Sequence, residues 1–221
     1  MKRLVFIVEG ETEEAFVNNI LRPYFQNCGL YNSIQCFKIK HTQGGMHKYS
    51  YVRNDVLNTI YETDVIVTTM FDLYALPHSF PGYEDAQSIT NHLERVEYLE
   101  AKMKEDLETL QSQPFSNYIP YIQLHEFEAL AFSSANSFEV LFEDNEMDYK
   151  GIREVIGAFP NPEDINDSPE TAPSKRMQNL IPGYNKVVYG ISLIEYTGID
   201  AIIQKCPHFR RWIHRLKAVV A

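Results

Sequence analysis

Leu4-Val5-Phe6-Ile7-Val8 runs without a break into Glu9-Gly10-Glu11-Thr12-Glu13. An apolar strand that ends in a carboxylate, turns on a glycine and enters a helix through Thr12 puts acid groups at the C-terminal edge of a sheet. Open α/β folds build their sites there. A second strand-like run, Val65 to Phe71, ends in the same way on Asp72. Neighbouring parallel strands would then carry two carboxylates to one edge.

Outward from that first turn, strand and helix patterns alternate. Thr12 to Phe25 places Phe16, Ile20 and Tyr24 on one helical face, Ile34 to Ile39 reads as a second strand, and Tyr51 to Tyr61 carries Val52, Val56, Leu57 and Ile60 at helical spacing. Val65 to Phe71 is the third strand. Pro77, Pro81 and Gly82 then force an irregular loop, Ala86 to Leu110 reads as one long helix, and Ile119 to Leu124 as a fourth strand. This order predicts an α/β fold with a mostly parallel four-stranded sheet flanked by helices, because parallel strands need helical crossovers. From Glu126 onward the pattern is mainly helical, and Asn161 to Ser174 forms a polar, proline-rich loop. The expected division is an α/β core over 1–132 and a mainly helical C-terminal extension over 133–221.

With 221 residues and 44% apolar content the chain can bury a sizeable core. No run is long enough to span a membrane, and the apolar stretch after Lys2 and Arg3 stops at Glu9, short of a signal-peptide core. Cys28, Cys36 and Cys206 are odd in number and lack zinc-site spacing, which suits small buried residues in a reducing, cytoplasmic setting. The net charge of −10 argues against strong nonspecific adhesion to nucleic acid. It is uneven, however: from Pro173 onward eight Lys and Arg face two acids, a local +6 against −16 elsewhere. That asymmetry suits a basic face for an anionic partner, or an ordinary solvated helical surface.

Three places carry candidate chemistry. Glu9 and Glu13 stand four apart across the Gly10 turn, although acids such as Glu13 and Glu14 also favour a first helical turn through the helix dipole. Asp72 either starts a turn or serves a site, and the apolar Leu73-Tyr74-Ala75-Leu76-Pro77 that follows favours a site. His125-Glu126-Phe127-Glu128 sets three titratable groups directly after the fourth strand, without the second histidine of a zinc-peptidase helix. Carboxylates outnumber His and Cys, a donor set that suits Mg²⁺ or Mn²⁺. Gly44-Gly45-Met46-His47-Lys48 is a weak phosphate cradle or a plain connector. Lys175, Arg176 and Lys186 are the stronger phosphate candidates.

Val-Glu-Gly-Glu-Thr-Glu at 8–13, Asp72 in Phe-Asp-Leu-Tyr-Ala-Leu-Pro, Phe-Pro-Gly at 80–82 and Gln-Leu-His-Glu-Phe-Glu-Ala-Leu at 123–130 together resemble the Toprim-related family long labelled a domain of unknown function. Toprim domains occur in topoisomerases, primases and OLD-type nucleases, and bind Mg²⁺ through an acid after the first strand and an Asp-x-Asp after a later one. By this resemblance Glu9 and Asp72 are the family acids. Tyr74 replaces the second Asp, so Glu13, Glu126 or Glu128 would have to supply the missing oxygens. The resemblance also implies an ATPase partner of the ABC or OLD-like type, as in phage-defence systems.

The expected activity is therefore Mg²⁺-dependent hydrolysis of phosphodiester bonds in DNA or RNA. Glu9, Glu13, Asp72 and one of Glu126 or Glu128 would hold metal, His125 would orient water or carry a proton, and Lys175, Arg176 or Lys186 would neutralise the backbone. The alternative is a noncatalytic regulatory or adaptor subunit that docks an ATPase, which Tyr74 favours.

Overall fold

The computed structural model describes residues 2–40, 46–166 and 170–221, with the backbone alone at 187. Gly44 and Gly45 of the glycine turn, and part of the 161–174 loop, lie outside the described residues. The chain forms two compact units, Met1–Leu124 with Trp212–Ala221, and His125–Arg211. The expected boundary at 132/133 thus falls eight residues late, and the final helical turns return to the first unit.

In the first unit, β1 (Arg3–Val8), β2 (Ile34–Lys38) and β3 (Val65–Asp72) pair in parallel with β1 in the middle, Leu4 opposite both Ile34 and Ile66. The fourth strand is split into β4 (Tyr118–Ile119) and β5 (Ile122–Gln123), each parallel to β3. Pro120 lies in the gap and has no amide to give to a ladder, so one continuous strand cannot form. The order β2-β1-β3-β4 is that of an open parallel sheet.

Both faces of this sheet are covered, which is why β1 and β3 are mostly apolar, with Thr68 and Thr69 of β3 buried among them. Val5 and Ile7 join a core with Val52 and Val56 of α3 (Tyr49–Ile60) and Leu99, Met103 and Leu107 of α5 (His92–Gln111). On the other face Phe6 meets the edge of the Trp212 indole at 5.9 Å, and Tyr121 stacks on it at 4.1 Å. The indole N–H donates to Thr68 Oγ1 at 2.8 Å, and that hydroxyl donates in turn to the Ile119 carbonyl at 2.6 Å. Trp212 is only 3% exposed.

Two helices differ from expectation. The segment after β1 is helical as α1 (Glu11–Phe16) and α2 (Arg22–Asn27), but Val17–Leu21 between them winds as a wider π turn. It falls just before Pro23, which cannot donate to the preceding turn. The long helix begins at His92 rather than Ala86. A short α4 (Tyr83–Ala86) precedes it, and the Asn91 side chain accepts the Glu94 amide at 3.0 Å, capping α5. Cys206 is buried and Cys36 half-buried, where burial and the nearby Glu14 carboxylate push its thiol up to about 12. Cys28, however, is exposed, with the Lys217 ammonium 3.2 Å from its sulfur.

The second unit contains no strand among its described residues, in keeping with the expected helical C-terminal half. A fully buried 3₁₀ turn, Phe127–Ser133, is surrounded by α6 (Asn136–Leu141), α7 (Tyr149–Ala158), α8 (Pro173–Leu180), α9 (Lys186–Thr197) and α10 (Ile199–Lys205). Finally, α11 (Pro207–Val220) begins in this unit. No described helix is long and apolar enough to cross a membrane.

Candidate functional site

Strand order fixes where a site can form in the first unit. From β1 the chain crosses toward β2, and from β3 it crosses toward β4, so the connections diverge above the C-terminal ends of β1 and β3. That divergence opens the crevice in which open α/β sheets bind ligands. Val8 pairs with Met70, which sets Glu9 beside the last residues of β3 and one step from Asp72. The two strand-end carboxylates therefore belong to adjacent strands at the switch point.

Glu13 joins them. It sits in the first turn of α1 yet is only 5% exposed, unlike an ordinary dipole-favoured surface acid. Its carboxylate folds back over the turn: Oε2 lies 3.0 Å from where a Cβ on residue 10 would stand. Gly10 has extended backbone angles, φ −141° and ψ −171°, so glycine is favoured here by the close approach of Glu13 and not by backbone conformation. Glu9 Oε2 is likewise buried. Glu11 points outward, pairing with Lys38 at 3.2 Å.

Asp72 is half-buried at the start of a 3₁₀ turn, Leu73–Ala75, and its carboxylate does not cap that turn. Because the strand stops at Asp72, alternation no longer applies to Tyr74, which lies in the turn and is 45% exposed. Among the described residues no three His, Cys, Asp or Glu are gathered closely enough to form a ready-made metal cage.

The remaining expected acids belong to the second unit, where each is engaged with a helix start. Glu126 accepts the Ser174 amide at 2.8 Å and the Ser174 hydroxyl at 3.0 Å, capping α8 through both oxygens. Glu128 is 3% exposed and pairs at 3.0 Å with Lys186, the first residue of α9. Burial nonetheless holds its carboxyl above the ordinary range, against the lowering by Lys186. His125 is fully buried and opens this unit with a left-handed backbone, φ +61°, uncommon for a residue with a side chain.

Of the expected phosphate ligands, Lys186 is thus committed to Glu128. Arg176 donates to the Thr171 carbonyl at 2.7 Å and lies over the Phe159 ring. Lys175 is exposed and contacts Gln178 at 3.3 Å. The proline-rich loop also holds an unforeseen group: Glu163, buried, accepts the amides of His208 and Phe209, both at 2.9 Å, at the start of α11. Burial raises its carboxyl, and those two amide bonds oppose the rise. Nothing local in the sequence marks this role, since the partners lie more than forty positions away.

No curated protein and no solved structure matches the chain. One family model does match, that of the domain of unknown function DUF4276, over residues 8–217. That span takes in the Glu9 turn, Asp72 and nearly all of both units, and the chain belongs to this family.

Proposed function

We propose that the protein is a metal-dependent phosphodiester hydrolase acting on DNA or RNA, with Glu9, Glu13 and Asp72 as its acidic centre. The observation that carries this reading is the position of Glu9 and Asp72 at the C-terminal ends of adjacent strands, at the switch point of a parallel sheet, with Glu13 buried against Gly10. All the donors are oxygens, the set preferred by Mg²⁺ and Mn²⁺. Mg²⁺ commonly keeps several waters and substrate oxygens in its shell, so a site with few protein ligands suits it. When bound, the ion would activate water and neutralise charge developing on the phosphate.

The chain's own contribution is positional. Gly10 leaves room for the Glu13 carboxylate over the first turn, and the pairing of β1 with β3 brings Asp72 to the same sheet edge as Glu9. Burial of Glu9 Oε2 and of Glu13 limits their competition from bulk water. The proposal gives His125 no contact with substrate, because its ring is fully buried. Glu126 and Glu128 act in it as supports for α8 and α9. Toprim-like kinship, a place in phage defence and an ABC or OLD-like ATPase partner extend this reading and rest on the motif resemblance.

A second reading, a noncatalytic adaptor for such an ATPase, is favoured by exposed Tyr74 where an Asp-x-Asp would have its second acid. Purified protein, alone and with a neighbouring ATPase, is incubated with DNA and RNA in Mg²⁺, Mn²⁺ or chelator. Metal-dependent cleavage that disappears in Glu9→Gln is expected. Cleavage undiminished in Glu9→Gln refutes the site, and a silent, stable complex with the ATPase selects the adaptor.

A further inference from the structure

The entry to α3, which follows β2, and residues 77–79, which follow β3, border an open cavity of about 600 Å³ in the first unit, lined by His47, Lys48, Ser50, Arg53, His78 and Ser79 along with Tyr49 and Pro77. Both segments come after the C-terminal ends of strands that neighbour β1, the sheet edge to which Glu9 and Asp72 also belong. Its two walls are tied together where Ser79 Oγ accepts the first amide of α3, Tyr49 N, at 3.3 Å.

The charge of the lining is one-sided. Lys48 contributes an ammonium, Arg53 a guanidinium, and His47 and His78 two imidazoles, with no carboxylate among the described lining residues. The nearby acids are already occupied: Glu84 lies 3.3 Å from His78 Nδ1, and Asp106 accepts the Tyr49 hydroxyl at 2.9 Å. Arg53 Nε is buried and makes no hydrogen bond. In a chain of net charge −10, a concave group of cations with two serine hydroxyls is a local inversion of the protein's field. Phosphate oxygens match it, through a guanidinium fork and an ammonium point charge. The volume is in the range of pockets that take whole small molecules, which fits a phosphate with its nucleoside attached.

We infer that this cavity is a phosphate site that holds one nucleotide unit of a single strand, placing the strand beside the Glu9, Glu13 and Asp72 carboxylates. The assignment of a nucleic-acid strand rests on the hydrolase reading above. The phosphate chemistry stands on the cavity itself.

Binding is measured in chelator, where no metal-dependent cleavage interferes, by fluorescence anisotropy of a labelled single-stranded oligonucleotide over a range of salt. Wild type, Lys48→Gln, Arg53→Gln and His47→Gln/Lys48→Gln are compared, each checked for a wild-type melting temperature. Lys48→Gln leaves an exposed position polar and keeps the test valid where Arg53→Gln disturbs packing. Affinity is expected to fall about tenfold in Lys48→Gln, with the slope of log affinity against log salt shallower by roughly 0.7 for the lost phosphate contact. Competition separates the sources: inorganic phosphate alone displacing a nucleotide analogue from the cavity, with no strand binding, identifies a free-phosphate site and overturns the strand assignment. Unchanged affinity and salt slope in every folded variant overturn the cavity as a phosphate site. Because cleavage plays no part in these readings, failure here leaves the Glu9→Gln test of the hydrolase untouched, and the reverse also holds.

Discussion

Gly10→Ala tests whether the first turn is shaped around Glu13. The backbone at residue 10 is extended, a conformation alanine adopts freely, and losing glycine's freedom in the unfolded chain stabilises by about 0.4–1 kcal/mol. Against this, the new Cβ would stand 3.0 Å from Glu13 Oε2, where ordinary contacts lie at 3.4–4 Å. The buried carboxylate must retreat by a few tenths of an ångström, so the two effects offset and the metal-free stability should change by less than about 1 kcal/mol. The metal response should change more. At an ion concentration of 100 times the wild-type Kd, binding stabilises the fold by about 2.7 kcal/mol, and a tenfold weaker site retains about 1.4 kcal/mol. Urea denaturation, followed by the fluorescence of the single tryptophan, Trp212, reads both numbers in Mg²⁺ and in chelator. Equal Mg²⁺ increments in wild type and variant would refute a ligand role for Glu13. The absence of any increment in wild type would remove the metal from this edge altogether.

Trp212→Ala should cost about 3–5 kcal/mol, since it empties the space between Phe6 and Tyr121. Trp212→Phe should cost less, about 1–3 kcal/mol, chiefly through the lost donor to Thr68; circular dichroism during denaturation distinguishes the two, and equal small losses would contradict the packing described. For Glu163 the sign of the pH effect follows from its raised carboxyl. Its protonated form contributes stability that is fully present below the ordinary value of 4.5 and is lost as pH rises through the folded pKa. The stability of wild type relative to Glu163→Gln should therefore fall as pH climbs above 4.5, and a difference that grows with pH would show the carboxyl to be depressed instead.

Much of the sheet was legible because its signals are local. Val5 to Val8 are apolar on both sides, and Val65 to Phe71 nearly so, with only Thr68 and Thr69 polar; parallel strands covered on both faces need that. Pro120 stood in view in the fourth strand, but the apolar residues around it outweighed its missing amide. The start of α5 was also available, since Asn91 followed by Glu94 is a helix-entry pattern, yet no Gly or Pro interrupts residues 87–91 to end the preceding turn. The strand-end acids Glu9 and Asp72 were legible for the same local reason. The parts assembled over long sequence separations were not: Glu126 meets Ser174 forty-eight residues away, and the cationic cavity joins the start of α3 to residues 77–79. Spacing within one element carries no trace of such partners.

Pro120 has an effect beyond dividing a strand. An open sheet ends in a row of unpaired amides and carbonyls that invites a strand from another molecule, and long regular edges are hazards for aggregation. Here the residues beyond β3, 118–123, are all buried, Pro120 has no amide to offer, and the Ile122 amide is already given to the Glu100 carboxylate of α5 at 2.9 Å. A passing strand finds no free rail on which to align. The proline and the helix that takes up the next amide together close this border of the sheet against intermolecular pairing.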